Sequence, residues 1–188
     1  MQKRQIINIV NFVRGYDPRT SDDLAEPVRR QLALMEQHRL KGTFLLQYDA
    51  LINPDFTAPL LAADPDRIEV GVWFEIVQPL AEKAGIPWTG RYAWDWHARH
   101  AFSAGYRPEE RERMIDVLFE DFKAVFGFYP KSFGSWVFDA HTLAYASEKY
   151  GLDVACNCKD QWGTDGYTLW GGYYGQGYYP SRTNVFCP

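Results

Sequence analysis

Five β-rich runs alternate with helix-like segments along this chain, and that alternation constrains the fold more than any other feature. The runs lie at 6–13, 43–48, 68–74, 132–138 and 153–159. Between them the spacing predicts helices. Asp22-Asp23-Leu24-Ala25-Glu26-Pro27 reads as an acidic cap followed by Pro in the first turn, and Val28, Leu32, Met35 and Leu40 then recur near helical spacing. A short helix is predicted around Leu60-Leu61. A longer amphipathic one opens at Arg107-Pro108-Glu109-Glu110, carries Met114, Ile115, Leu118 and Phe122 on one face, and stops at Gly127. Another runs from His141 to Tyr150 and closes at Gly151. Strand, helix, strand in repetition implies α/β architecture, with a parallel sheet joined by right-handed crossovers.

The chain has 188 residues, 46% of them hydrophobic, which is enough for one domain with a buried core. Its net charge of −4 and the lack of a basic face argue against nucleic acid as a partner. No apolar run approaches a bilayer span, so no membrane role is expected. The basic, then apolar, N-terminus is broken by Asn8 and Asn11 and lacks a small-residue cleavage site, so it reads as the first strand rather than a leader. Three cysteines, an odd number, fit a reducing, cytoplasmic setting.

Sites in parallel α/β folds gather at the carboxyl ends of the strands. Here every strand end carries an acid: Asp17 beside Arg14, then Asp49, Glu75, Asp139 and Asp160. Each acid has an ordinary role as an alternative. Asp139, just before Ala140-His141-Thr142-Leu143, suits a helix cap.

The order of these elements resembles the NodB-type polysaccharide deacetylases. Leu40-Lys41-Gly42-Thr43-Phe44-Leu45-Leu46 looks like their second strand, and Arg67-Ile68-Glu69-Val70-Gly71 like their third. Tyr129-Pro130-Lys131-Ser132-Phe133-Gly134, continuing through His141-Thr142-Leu143 to Tyr150-Gly151-Leu152, looks like their fourth strand and the helix after it. The likeness covers about residues 5–161. It implies a parallel (β/α) barrel of the distorted seven-strand deacetylase type acting on a glycan; family 57 glycoside hydrolases share that barrel. Five clear strands make the barrel incomplete across 1–188, with an insert at 85–106 and an aromatic Gly-rich loop at 162–180.

The family's catalytic motifs do not carry over. The resemblance would place Phe-Asp-Asp-Gly after strand one, where this chain has Phe12-Val13-Arg14-Gly15. Its two histidines after strand three fall on Trp73 and Val77, and its strand-four arginine falls near Ser132. Divalent metals of this kind need histidine or carboxylate ligands. With those positions lost and a cationic Arg14 among them, the expectation is no metal and no cofactor.

The residues left to carry chemistry are few. Arg14 suits a carboxylate or oxyanion clamp, or a salt bridge to Glu75 or Asp139. Glu75, among Trp73, Phe74 and Ile76, sits where an apolar setting raises a carboxyl pKa, so Glu75 with Asp139 makes a candidate acid and base pair for glycoside hydrolysis. Trp94-Asp95-Trp96-His97-Ala98-Arg99-His100 lies in the insert; His97 and His100 are spaced to share a helical face, with His97 a candidate acid/base and aromatic packing over the mouth the plainer alternative. Asp160 ends strand five and is a further catalytic candidate. After it, residues 162–179 hold seven Trp or Tyr and six Gly. Trp162, Tyr167 and Trp170 there, with Trp73, Trp94 and Trp136, suit stacking on sugar rings, or self-packing.

Two functions follow, beside a third possibility: a metal enzyme rebuilt around His97 and His100, with Asp95, Cys156, Cys158 or Asp160 as a further ligand. Of the two, one is a carbohydrate-active hydrolase working through Glu75, Asp139, Asp160 and His97 without a metal. The other is a glycan-binding or scaffold domain that has lost catalysis. An open, Trp-lined pocket where Glu75 or Asp139 meets Arg14 favours the first; a dry, filled one favours the second. The open sheet edge also predicts homo-oligomers.

Overall fold

The computed structural model describes residues 7–137, 139–157, 177–185 and 187. In chain order its elements are β1 (Val10–Val13), α1 (Ala25–Gln37), β2 (Gly42–Leu46), α2 (Tyr48–Leu51), α3 (Pro54–Leu61), β3 (Ile68–Trp73), α4 (Gln78–Lys83), α5 (Ala98–Ala101), α6 (Pro108–Phe126), β4 (Ser132–Ser135), α7 (Ala140–Tyr150) and β5 (Val154–Asn157). All neighbouring strands pair in parallel, in the spatial order β1-β2-β3-β4-β5. With right-handed crossovers, a sequential order puts every connecting helix on the same face of the sheet. The other face is then the inside of a barrel.

The sheet is curled. Residues of β2 and β4, with β3 between them, approach within 8 Å between Cα atoms, closer than the two strand spacings, ~9.5 Å, of a flat sheet. Small residues allow this. A Cβ added at Gly71 would lie 2.2 Å from Ser132 Oγ, and one at Gly134 would lie 2.5 Å from both the Leu45 side chain and the Trp73 ring. Leu45 therefore reaches across β3 towards β4. The result is an incomplete (β/α) barrel: five strands in a half-barrel flanked by helices.

Alternation sorts the two faces. Phe44 and Leu46, then Ile68, Val70 and Val72, then Phe133, face the helices and join Met114, Ile115, Leu118, Phe119 and Phe122 of α6 in the main core. Each such side chain, once buried, contributes roughly 1.5–3 kcal/mol. Phe12, Arg14, Leu45, Gln47, Trp73 and Glu75 share the opposite parity and face inward. The helix ends are set by local chemistry. Glu110 accepts the Arg107 N–H at the start of α6 (2.9 Å), and Gly127 and Gly151 take left-handed conformations, φ 84° and 66°, that close α6 and α7.

Among the boundaries that differ from the sequence reading, three matter most for the strand ends. Of the described residues at 7–13, only Val10–Val13 pair as strand. Tyr48 leaves β2 to begin α2, where its hydroxyl donates to Asp121 (2.5 Å). β4 stops at Ser135, whose hydroxyl donates to Phe74 O (2.9 Å) and so ties the strand end to β3 instead of extending the ladder.

Candidate functional site

The carboxyl ends of β1, β2 and β3 converge on one guanidinium. Arg14, the residue after β1, places Nη1 3.0 Å from Asp17 Oδ2 and Nη2 3.5 Å from Glu75 Oε2. The flat face of the group lies 3.6 Å from the ring centre of Trp94. Trp94 is held there by the backbone. The chain stays extended after β3, and Ile76 N–H donates to Ala101 O (2.8 Å) and Gln78 N–H to Ala93 O (2.7 Å), which pins the insert across the end of β3.

Glu75 is only 1% exposed. Its Oε2 also accepts from Trp73 Nε1 (3.2 Å) and Gln47 Nε2 (3.3 Å). Burial pushes its carboxyl up to about 7, against the opposing pull of Arg14 and the indole donors. Asp17 goes the other way. Hydrogen bonds from Arg19 hold it down at about 2, although partial burial works against them. One guanidinium thus bridges an ionised carboxylate and a carboxyl that takes up a proton near neutrality.

Asp49 adds a third acid. Burial raises it to about 6, while its Oδ1 accepts the Gly15 and Ala50 N–H groups (3.0 and 2.8 Å) and ties the loop after β1 to the end of β2. Around this centre Arg14 Nε, Gln47 Oε1 and Asp49 Oδ2 are buried with no hydrogen-bond partner. Most buried polar groups in folded chains are paired, so three orphans together mark a polar centre whose capacity is not used up.

Aromatic rings line the approaches. On the inner face Phe12, Trp73 and Trp136 meet mutually, with ring centres 4.9–5.2 Å apart. Phe12 stays 37% exposed and Trp136 half-buried. Beyond Trp94, Trp96 stacks on Tyr92 (5.7 Å, 21°), and Arg19 lies over both Trp94 and Trp96 (5.0 and 5.6 Å). A cleft of about 240 Å³ opens beside Asp17, lined by Gly15, Tyr16, Asp22, Asn53 and Asp55 among others. A separate cleft of about 370 Å³, with Leu61, Ile68, Phe126 and Phe128, lies at the opposite end of the strands, away from this chemistry.

Of the residues marked from sequence, Arg14, Glu75, Trp73 and Trp94 come together, and Trp136 joins them through Trp73. Asp139 is engaged elsewhere. Its Oδ1 accepts the Thr142 N–H (2.9 Å) at the start of α7 and lies 3.0 Å from Arg111 Nη1. Its pKa is lowered: Ser103, Thr142 and Arg111 outweigh burial, the largest single influence, which acts to raise it. His97 is exposed and caps the short helix α5, with Nδ1 accepting from Arg99 N–H (3.4 Å). The more enclosed histidine is His100, whose Nδ1 lies 3.3 Å from Asp95. The two histidine rings lie side by side, with centres 5.6 Å apart, although α5 begins only at Ala98 and His97 acts as its cap. Asp160, Trp162, Tyr167 and Trp170 lie outside the described residues. Among the described residues, no group of three or more His, Cys, Asp or Glu is placed to hold a metal ion.

Sequence reasoning passed over Gln47, Asp17, Asp49, Tyr92 and Trp96 as site residues. Strand parity was the available signal for Gln47, which continues the inward series Thr43, Leu45. Asp17 and Asp49 were visible as strand-end acids, but nothing along the chain distinguished them from loop caps.

No family model matches the sequence, and no curated protein matches it. Two solved structures are matched at probability 1.00. One is described as a "putative polysaccharide deacetylase from Mycobacterium smegmatis", with 16% identity and a TM-score of 0.49, over 75% of this chain and 47% of that one. The other is described as a "putative glycoside hydrolase/deacetylase" from Parabacteroides distasonis, with 13% identity and a TM-score of 0.46, over 80% of this chain and 34% of that one. The chain spans about half of the first and a third of the second. Neither match bears on the chemistry of the site. The resemblance carried by the sequence, to a diverged polysaccharide deacetylase-like barrel, is compatible with both.

Proposed function

We propose that this chain is a carbohydrate-active domain of the polysaccharide deacetylase-like kind, which binds a glycan at the carboxyl ends of its strands and does not cleave it. One observation carries this reading. Arg14 occupies the centre of the mouth and is packed against Trp94, with Glu75 sealed behind it. The result is a rigid, aromatic-walled surface instead of an open reaction centre. Phe12, Trp136 and Trp96 offer ring faces and edges on which the C–H faces of a pyranose pack, while the charged groups between them provide hydrogen bonds to hydroxyls. Against cleavage, Asp139, the partner that Glu75 would need, has its oxygens engaged by Thr142 at the start of α7 and by Arg111.

Hydrolysis is the second reading, favoured by one property: Glu75 sits near pH 7, the range of a general acid, with the ionised Asp17 across Arg14. Affinity electrophoresis of the chain through a panel of polysaccharides, with assays for released reducing ends and acetate, separates the two. Under the binding reading Trp136→Ala weakens retention by about tenfold or more, Glu75→Gln keeps it, and the wild type releases nothing. Release that Glu75→Gln abolishes establishes hydrolysis instead, and no retention by any polysaccharide overturns the binding reading.

A further inference from the structure

We infer that the ledge formed by residues 88–100 reads acidic groups, so that the glycan is an anionic polysaccharide bearing carboxylates or sulfates. The inference rests on the glycan-binding reading and names the class of ligand. The ledge is built from stacked rings and guanidinium groups. Tyr92 and Trp96 stack at 5.7 Å, and Trp96 keeps 37% of its surface exposed. Arg91 lies over the Tyr92 ring at 5.0 Å and Arg19 over Trp96 at 5.6 Å. Arg99 follows on α5, and both Arg91 and Arg99 are exposed.

The charges of the ledge do not cancel. Its one acid, Asp95, is turned inward, where it accepts the N–H groups of Arg91 (2.8 Å) and His97 (3.0 Å) and lies 3.3 Å from His100. Among the described residues, neither Arg91 nor Arg99 makes an ion pair. The enclosed arginines differ: Arg14 is matched by Asp17 and Glu75, and Arg111 by Asp139. Two unmatched arginines on the short segment that carries an exposed indole run against the net charge of −4 of the whole chain.

A guanidinium stacked on a ring keeps its N–H edge free for a planar carboxylate or a sulfate, and stacking holds it in place before the ligand arrives. A uronic acid residue satisfies both parts of such a surface, its ring on Trp96 and its carboxylate on Arg91 or Arg99. A neutral sugar would use the ring and leave the cations without partners.

Polygalacturonate and its methyl ester share a backbone and differ in whether the carboxylate is charged or capped by a methyl, so with the salt comparison they make the test. Affinity electrophoresis of the full chain in each, at low and high salt, is expected to show retention by the acid and about tenfold weaker retention by the ester. High salt should remove the difference. Arg91→Gln with Arg99→Gln should bring the acid down to the level of the ester, and Trp96→Ala should weaken both. Arg30→Gln, an exposed charge on α1, should change nothing. Equal retention by acid and ester overturns the inference and leaves the glycan reading standing. Retention by the acid that ignores Trp96→Ala or responds equally to Arg30→Gln overturns it as bare charge attraction. Retention by neither form overturns it, and retention by no polysaccharide of the wider panel removes the glycan reading as well.

Discussion

Arg14 stands where the resembled family would place a metal-binding or catalytic acid, and its neighbours suit a permanent cation. Its charge stabilises the ionised form of Glu75, yet burial acts more strongly, and the carboxyl rises from its ordinary value of 4.5 to about 7. The linkage has a definite sign. A carboxyl that holds its proton more tightly in the folded state contributes stability that is fully present below pH 4.5 and lost as pH rises through 7. Asp49, raised from 3.8 to about 6, acts in the same direction at lower pH. Asp17, lowered to about 2, costs stability only below its ordinary value of 3.8. Urea denaturation is therefore expected to show the wild type losing on the order of 3 kcal/mol from Glu75 between mildly acid and mildly alkaline pH. Glu75→Gln should flatten that decline; a variant with the same slope as the wild type would show that Glu75 is not the group responsible. The apolar residues beside Glu75 made its raised pKa legible in the sequence. The orphaned Gln47 Oε1 and Arg14 Nε were not legible, because pairing depends on where side chains from separate strands end.

Asp139 shows how an element claims a residue that chemistry also suits. The same carboxylate would serve as a catalytic acid or as the cap of α7, and local geometry decides: its two oxygens are taken by the Thr142 N–H and hydroxyl and by Arg111. Asp139→Ala should lower stability by about 1–2 kcal/mol in chemical denaturation, through the lost cap and the unpaired Arg111, and leave polysaccharide retention unchanged. A stable Asp139→Ala chain that no longer acts on or retains a glycan would return Asp139 to the site. The insert behaves similarly. Its histidine spacing suggested a shared face, and the two rings do lie side by side, 5.6 Å apart, but in a helix of only four residues His97 serves as the cap and His100 approaches Asp95.

Over the whole molecule, the sequential strand order leaves one sheet face under helices and the other open. β1 and β5 each pair on one side only among the described residues, and Val10 and Val154 stand 45% and 55% exposed near those edges. Unpaired parallel edges with exposed valines favour addition of another strand. Sedimentation velocity is expected to show concentration-dependent self-association, reduced in the Val10→Lys, Val154→Lys double variant. A wild-type chain that stays monomeric across the accessible concentration range would refute this. Among the described residues no helix is long and apolar enough to cross a membrane.

The five strands, the α6 helix and its caps, and the parallel α/β class were decided by local order: apolar periodicity, prolines at helix starts and glycines at helix ends act over a few residues and are written along the chain. The tertiary structure alone decided which of the described strand-end acids meet. Arg14, Gln47 and Glu75 follow the ends of three strands, and only sheet register and the curl permitted by Gly71 and Gly134 bring them to one point. Burial there, which raises Glu75, is likewise a property of packed neighbours from β1, β3 and the insert rather than of any single segment.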